Sequence, residues 1–169
     1  MWLLDVDGVI NATRPGWSAA PRRGMAYCLG DGYQMRWAPG LVRRIREVAA
    51  GGDVTVRWCT TWCAEAEQLE RLFGLPPLER AWREPISAGA APTAKLVAAR
   101  AVLAGGQRLV WTDDDALPGD SAVREALTAG GRALLIAPRP NRGLQPEHVE
   151  AIASFLAAER EGPAAVRTA

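Results

Sequence analysis

Short apolar runs that each stop at a carboxylate or a hydroxyl constrain this chain more than any other feature. Residues 2–6, WLLDV, are the first; DVTVRWCTTW, at 53–62, is the second; RLVWT, at 108–112, delivers the chain to Asp113, Asp114 and Asp115. Between them lie segments of helical periodicity. Residues 40–50 place Leu41, Ile45 and Val48 on one face and arginines on the other, and 63–73 bury Leu69, Leu72 and Phe73. A third helix is expected over 93–103, with Thr93 as N-cap and Lys95 in its first turn. A helix at 121–129, a strand RALLIAP ending at Pro138 and a helix from 146 to Arg160 continue the alternation. Such alternation predicts an α/β fold in which helices cover a largely parallel sheet. Ligands of such sheets sit beyond the carboxyl ends of the strands, where these acids and hydroxyls fall.

With 169 residues the chain has the length of one domain, read here as 1–162 with a flexible tail at 163–169. Residues 11–39 contain no convincing helix and read as a small insertion, with AYCLG and YQMRW as two short strands about a turn near Asp31-Gly32. Twenty basic against 19 acidic side chains leave a net charge of +1, which points to no polyanionic partner, although arginines cluster between Arg14 and Arg46. No apolar run reaches the roughly 20 residues of a bilayer span, and Asp5 and Asp7 stand where a secretory signal would be basic and then apolar. Cys28, Cys59 and Cys63 lack the spacing of a metal knuckle, so a reduced cytoplasmic protein without a membrane partner is expected. His148, the only histidine, falls within a helical pattern, which argues against a histidine-based triad or metal site.

The chemistry resides in the acids. Asp5 and Asp7 share a side-chain direction while the strand lasts, and Gly8 permits a turn just after them. Two adjacent carboxylates repel unless a cation lies between them, and Asp113 with Asp114 offers further oxygens from another strand end. An all-oxygen donor set fits Mg²⁺ better than Zn²⁺. Such an ion favours phosphate as the substrate group, with one carboxylate attacking phosphorus and the other carrying a proton. Thr60 can donate to the phosphoryl oxygens and Lys95 can oppose their charge. Thr61 exchanges with Thr60 in that role if the strand ends one residue later, and Asp115 exchanges with Asp114.

This series resembles the haloacid dehalogenase-like hydrolases, through Asp5 and Asp7 in DVDG, Thr60 in WCTTW, Lys95 in TAKL, and Asp113 with Asp114 in WTDDD. The resemblance covers about residues 1 to 140 and is closest to a compact bacterial branch similar to phosphatase-like domains of RNA repair proteins. It implies a three-layer Rossmann-like fold with a small insertion in place of a large cap domain. It also implies a phosphomonoester hydrolase in which Asp5 becomes an aspartyl-phosphate and Asp7 is the general acid and base. Mg²⁺ would be held by the Asp5 side chain, the Asp7 backbone carbonyl, Asp113 and Asp114, the last directly or through water.

Substrate identity is less constrained. A phosphorylated small molecule is the first expectation, and a nucleotide or nucleic-acid end, cleaved or used in phosphotransfer, is the alternative. For the latter, Trp17 or Trp37 would stack a base while Arg14, Arg22, Arg23 or Arg36 contacts phosphate, unless these tryptophans only anchor the insertion. Trp58 and Trp62 are expected to pack at the sheet edge, one of them also shaping the pocket. A catalytically weak phosphate-binding protein is the remaining class, and dehalogenation fits the acids poorly.

Overall fold

The computed structural model describes residues 1–158. Five strands form one parallel sheet: β1 (Trp2–Leu4), β4 (Val56–Trp58), β5 (Glu79–Arg80), β6 (Leu109–Thr112) and β7 (Ala133–Ile136), in the order β5-β4-β1-β6-β7. A separate antiparallel hairpin, β2 (Arg22–Cys28) and β3 (Asp31–Trp37), fills the insertion. The helices are α1 (Pro39–Ala50), α2 (Ala66–Phe73), α3 (Ala91–Ala104), α4 (Ser121–Thr128) and α5 (Pro146–Ala157), with 3-10 turns at Thr61–Glu65 and Ala129–Gly131.

Period-two alternation divides the apolar residues between two cores. Trp2, Leu4, Val56, Trp58 and Val110 face one side, where they meet Leu41 and Ile45 of α1, Leu69 of α2 and Ile152 of α5. Leu3, Leu109 and Trp111 face the other, against Ala99 and Val102 of α3 and Leu127 of α4. The sheet is therefore covered on both sides, as the alternation of segments requires. The chain builds outward through β4 and β5, then crosses to β6 and β7, so its direction of growth reverses at the boundary between β1 and β6. Among the described residues no helix is long and apolar enough to cross a membrane.

Several boundaries differ from expectation, each for a local reason. The β1 ladder ends at Leu4, because the chain turns at once and the Val6 carbonyl accepts from Ile10 and Asn11. The hairpin turn lies at Leu29-Gly30, before Asp31-Gly32: both residues have positive φ, 53° and 91°, as the favoured two-residue hairpin turn demands. Helix α3 starts at Ala91, with Pro92 in its opening turn and Ala90 at the cap, so Thr93 does not cap it. The final helix is described to Ala157, and the expected end at Arg160 and tail at 163–169 lie outside the described residues. His148 proves to be a capping residue: its Nδ1 accepts from the Gln145 N–H at 3.1 Å.

Tryptophans carry polar anchors into these cores. Trp2 Nε1 donates to Thr112 Oγ1 at 3.0 Å, and Trp58 Nε1 donates to Glu70 Oε1 at 3.0 Å. Glu70 is buried and its Oε1 also accepts the Leu78 N–H at 2.9 Å, fixing the approach to β5. Trp58→Phe keeps most of the apolar surface but removes one donor from a buried carboxylate. Urea denaturation should show a stability loss of about 1–3 kcal/mol, whereas the double variant Trp58→Phe with Glu70→Gln should lose less than the sum of the two single changes.

Candidate active site

The parallel register dictates which side chains meet. Leu4 is level with Trp58 on one side and Thr112 on the other, so Asp5, Cys59 and Asp113 emerge together at the carboxyl edge. Asp5 shares a face with Leu3, and Asp113 shares one with Trp111, which directs both carboxylates toward α3. Lys95 stands one helical turn before Ala99, the residue by which α3 seats on that face. Its Nζ lies 2.7 Å from Asp5 Oδ2 and 2.8 Å from Asp113 Oδ2, and all three side chains are buried.

Each buried carboxylate has further donors. Asp5 Oδ1 accepts the Val6 N–H at 2.8 Å. Asp113 Oδ1 accepts from the Ala116 N–H at 2.9 Å and the Asp115 N–H at 3.3 Å, while Trp111 Nε1 donates to its Oδ2 at 3.3 Å. Charge still does not balance, since one ammonium serves two carboxylates. Burial first, then Asp113, pushes Asp5 up to about 7 despite Lys95. Burial, Asp115 and Asp113 push Asp114 up to about 6. Burial opposes the Lys95 charge, but Asp5 and Asp113 outweigh it and hold the ammonium above the ordinary lysine value.

This imbalance concentrates negative charge at one strand edge. Asp5, Asp113, Asp114 and Asp115 each offer an oxygen, all within 4.8 Å of one another. Hard oxygen donors on a rigid strand edge suit Mg²⁺, and a divalent charge there would reverse the upward shifts of Asp5 and Asp114. Gly8 makes room for the cluster: at φ +64° it adopts a left-handed conformation, and a Cβ there would lie 2.1 Å from the Asp114 carboxyl carbon. The Asp7 carboxylate is not one of the four.

Asp7 differs from Asp5 in almost every respect. It is exposed, and its two oxygens are held separately: Oδ1 by Asn11 Nδ2 and Oδ2 by Trp62 Nε1, each at 2.8 Å. Asn11 in turn accepts the Arg36 N–H at 2.8 Å, which ties Asp7 to the end of β3. Asp5, Asp7, Thr61, Lys95 and Asp114 line one cavity of about 200 Å³, closed by Ala88 from the segment before α3 and Pro92 from its first turn.

The two threonines separate. Thr61 lines this cavity, whereas Thr60 is buried beneath it and its Oγ1 accepts the Trp62 N–H at 3.4 Å as cap of the 3-10 turn. Asp115 is exposed but belongs to the four-acid cluster beside Asp114. Arg14 and Trp17 do not line the cavity: the Arg14 N–H donates to the Asn141 carbonyl, and Trp17 Nε1 donates to the Leu144 carbonyl at 2.8 Å. Trp17 therefore pins the insertion to the loop before α5, and Trp37 stacks edge-on against Phe73 in the core. Nothing in the sequence marks Asn11 or the Trp62 indole as a holder of Asp7, because the first contact depends on the tight turn after β1 and the second spans 55 positions.

No protein-family model matches the chain, and no curated protein or solved structure matches it.

Two outcomes follow from this geometry. Asp5 and Asp114 have raised values in the folded state, so the stability they contribute is full below about pH 4 and is lost as pH rises through about 6 to 7. Apart from other groups, the metal-free melting temperature should therefore fall between about pH 4 and pH 7, and added Mg²⁺ should raise it more at the upper end. Lys95 contributes no slope there, because its proton is held throughout. Gly8→Ala should melt lower by a few degrees and lose that Mg²⁺-dependent gain, read by differential scanning calorimetry.

Proposed function

We propose that the protein is a Mg²⁺-dependent phosphomonoester hydrolase of haloacid dehalogenase-like type, acting through an aspartyl-phosphate on Asp5. The observation that carries this reading is Asp5 itself: a buried carboxylate at the edge of a central strand, held 2.7 Å from Lys95 and opening on a small cavity that Asp7 also lines. A purely structural acid pair would have no reason to face a cavity shared with a second, separately oriented acid and a threonine hydroxyl.

In the first step an Asp5 oxygen attacks phosphorus and the ester oxygen departs, taking a proton from Asp7. In the second, Asp7 accepts a proton from water as the water oxygen attacks the phosphorus of the aspartyl-phosphate. Inorganic phosphate leaves and the Asp5 carboxylate is regenerated. The hydrogen bonds from Trp62 and Asn11 keep the Asp7 oxygens on the solvent side of the cavity, where a leaving group and later a water arrive. Lys95 opposes the charge on the phosphoryl oxygens while holding Asp5 and Asp113 in register, and Thr61 offers a donor from the opposite wall. Asp5, Asp113, Asp114 and Asp115 are the side chains that would hold Mg²⁺, which when bound neutralises phosphate charge and favours the ionised form of Asp5. Thr60 acts from beneath by capping the turn that carries Thr61.

Phosphate release from small phosphate esters should require Mg²⁺ and disappear in Asp5→Asn. Asp7→Asn should lower kcat by about 10² to 10⁴-fold and, by slowing hydrolysis, let the phosphoryl adduct on Asp5 accumulate for detection by intact-protein mass spectrometry. Thr61→Val should raise KM more than Thr60→Val, which should instead lower the melting temperature. Full turnover in Asp5→Asn would overturn the reading.

A further inference from the structure

Beside the acidic cavity lies a second one of about 190 Å³, and the two share Asp7, Thr61 and Ala88. With a phosphate ester held at Asp5 as proposed above, and Asp7 on the common wall meeting the ester oxygen, the organic part of that ester would extend here. Its walls come from three separate elements. The hairpin supplies Cys28, Leu29 and Tyr33; the 3-10 turn supplies Trp62 and Glu65; the segment before α3 supplies Pro85 and Ile86.

The charge of this second cavity is one-sided. Two carboxylates, Asp7 and Glu65, line it, and none of its lining residues is basic. Glu65 is incompletely satisfied: Oε1 accepts from Cys28 Sγ at 3.5 Å, while Oε2 is shielded from solvent and has no hydrogen-bond partner. Burial and the neighbouring Glu65 both raise the Cys28 thiol, so it remains a neutral donor that leaves the carboxylate charge uncompensated. A shielded carboxylate oxygen without a partner is unfavourable, and a small rotation toward an N–H donor in the cavity would satisfy it. Tyr33 and Trp62 meet edge to face, with centroids 5.3 Å apart at 89°, and form an aromatic corner on the same cavity. An aromatic corner next to a carboxylate suits an ammonium group, through the ring quadrupole on one side and direct charge on the other.

We infer that this second cavity is a leaving-group subsite that selects phosphomonoesters whose organic part is apolar near the ester and ends in an amine, bound by Glu65, Tyr33 and Trp62. The inference rests on the hydrolase reading for its orientation. Anionic leaving groups, including further phosphates of a polyphosphate or a nucleic-acid backbone, are excluded from it by Asp7 and Glu65. The arginines that would favour such anions, Arg14, Arg22, Arg23 and Arg36, contribute nothing to either cavity.

The test compares phenyl phosphate with its para-aminomethyl and para-carboxyl derivatives, which differ in terminal charge at similar shape. The wild type should favour the aminomethyl over the carboxyl ester by roughly tenfold or more in kcat/KM, the scale of one well-placed charge contact. Glu65→Gln should shrink that ratio severalfold. In a separate arm, benzylamine and phenylacetate are titrated into the wild type while the Trp62 indole N–H resonance is followed, with Trp62→Phe used to assign it. Benzylamine should shift the resonance and phenylacetate should not. Turnover with equal or inverted charge preference overturns the subsite. Selective benzylamine binding without turnover of any ester supports the subsite and overturns the hydrolase reading. Absence of turnover with every ester together with absence of selective benzylamine binding overturns both.

Discussion

Lys95 bridging Asp5 and Asp113 is the contact on which the site depends. It joins the edges of β1 and β6, which touch only because the chain reverses its direction of sheet growth between them, and it draws α3 onto the same point. Three charges buried together would be costly if isolated, and the backbone N–H groups of Val6, Asp115 and Ala116 reduce that cost. The compensation is incomplete by one charge. Because two carboxylates share one ammonium, and Asp114 and Asp115 crowd the same edge, Asp5 and Asp114 are pushed toward their neutral forms. A structural ion pair would be better served by equal numbers. The deficit is what gives the proposed cation its place at this edge.

The second acid of the opening strand follows a different logic. Asp7 is separated from the buried triad by the turn at Val6 and Gly8, and it is exposed. Its orientation comes from neutral donors, Trp62 and Asn11, which fix its two oxygens without placing a positive charge beside them. Trp62 belongs to the 3-10 turn that packs over the strand end, and Asn11 to the tight turn directly after β1. The hairpin is tied down by Asn11 and Arg36 at its base and by the pair formed between Gln68 and the Tyr27 backbone at its tip. The Trp62 contact on Asp7 and the placement of the second cavity are thus consequences of one packing event.

Much of this was legible in the chain. WLLDV, RLVWT and RALLIAP each carry their strand, and the helices fall where apolar spacing puts them, because these signals are local. The acids at 5 and 113 were legible as candidates, since strand ends are where such side chains accumulate, and Lys95 was legible from its place in the first turn of a helix and from the resemblance carried by TAKL. Less legible were features set by phase or by distant partners. Which of Thr60 and Thr61 lines the cavity depends on where a three-residue strand stops and a 3-10 turn begins, a difference of one residue. Arg14 and Trp17 looked eligible to bind substrate by residue type, yet Leu144 and Asn141, over 120 positions away, engage their segment elsewhere.

By itself, then, the sequence determined the alternation of strand and helix, the clustering of acids at strand ends and the small insertion after the first strand, because each is written in residues close together along the chain. Only the tertiary structure decided that Lys95 serves both Asp5 and Asp113, that Asp7 is held by Trp62, and that Glu65, Tyr33 and Trp62 share a cavity. The physical reason is the order of the sheet. A parallel sheet connects its strands through distant crossovers, so the residues that meet at its edge are chosen by register and packing and not by proximity in sequence.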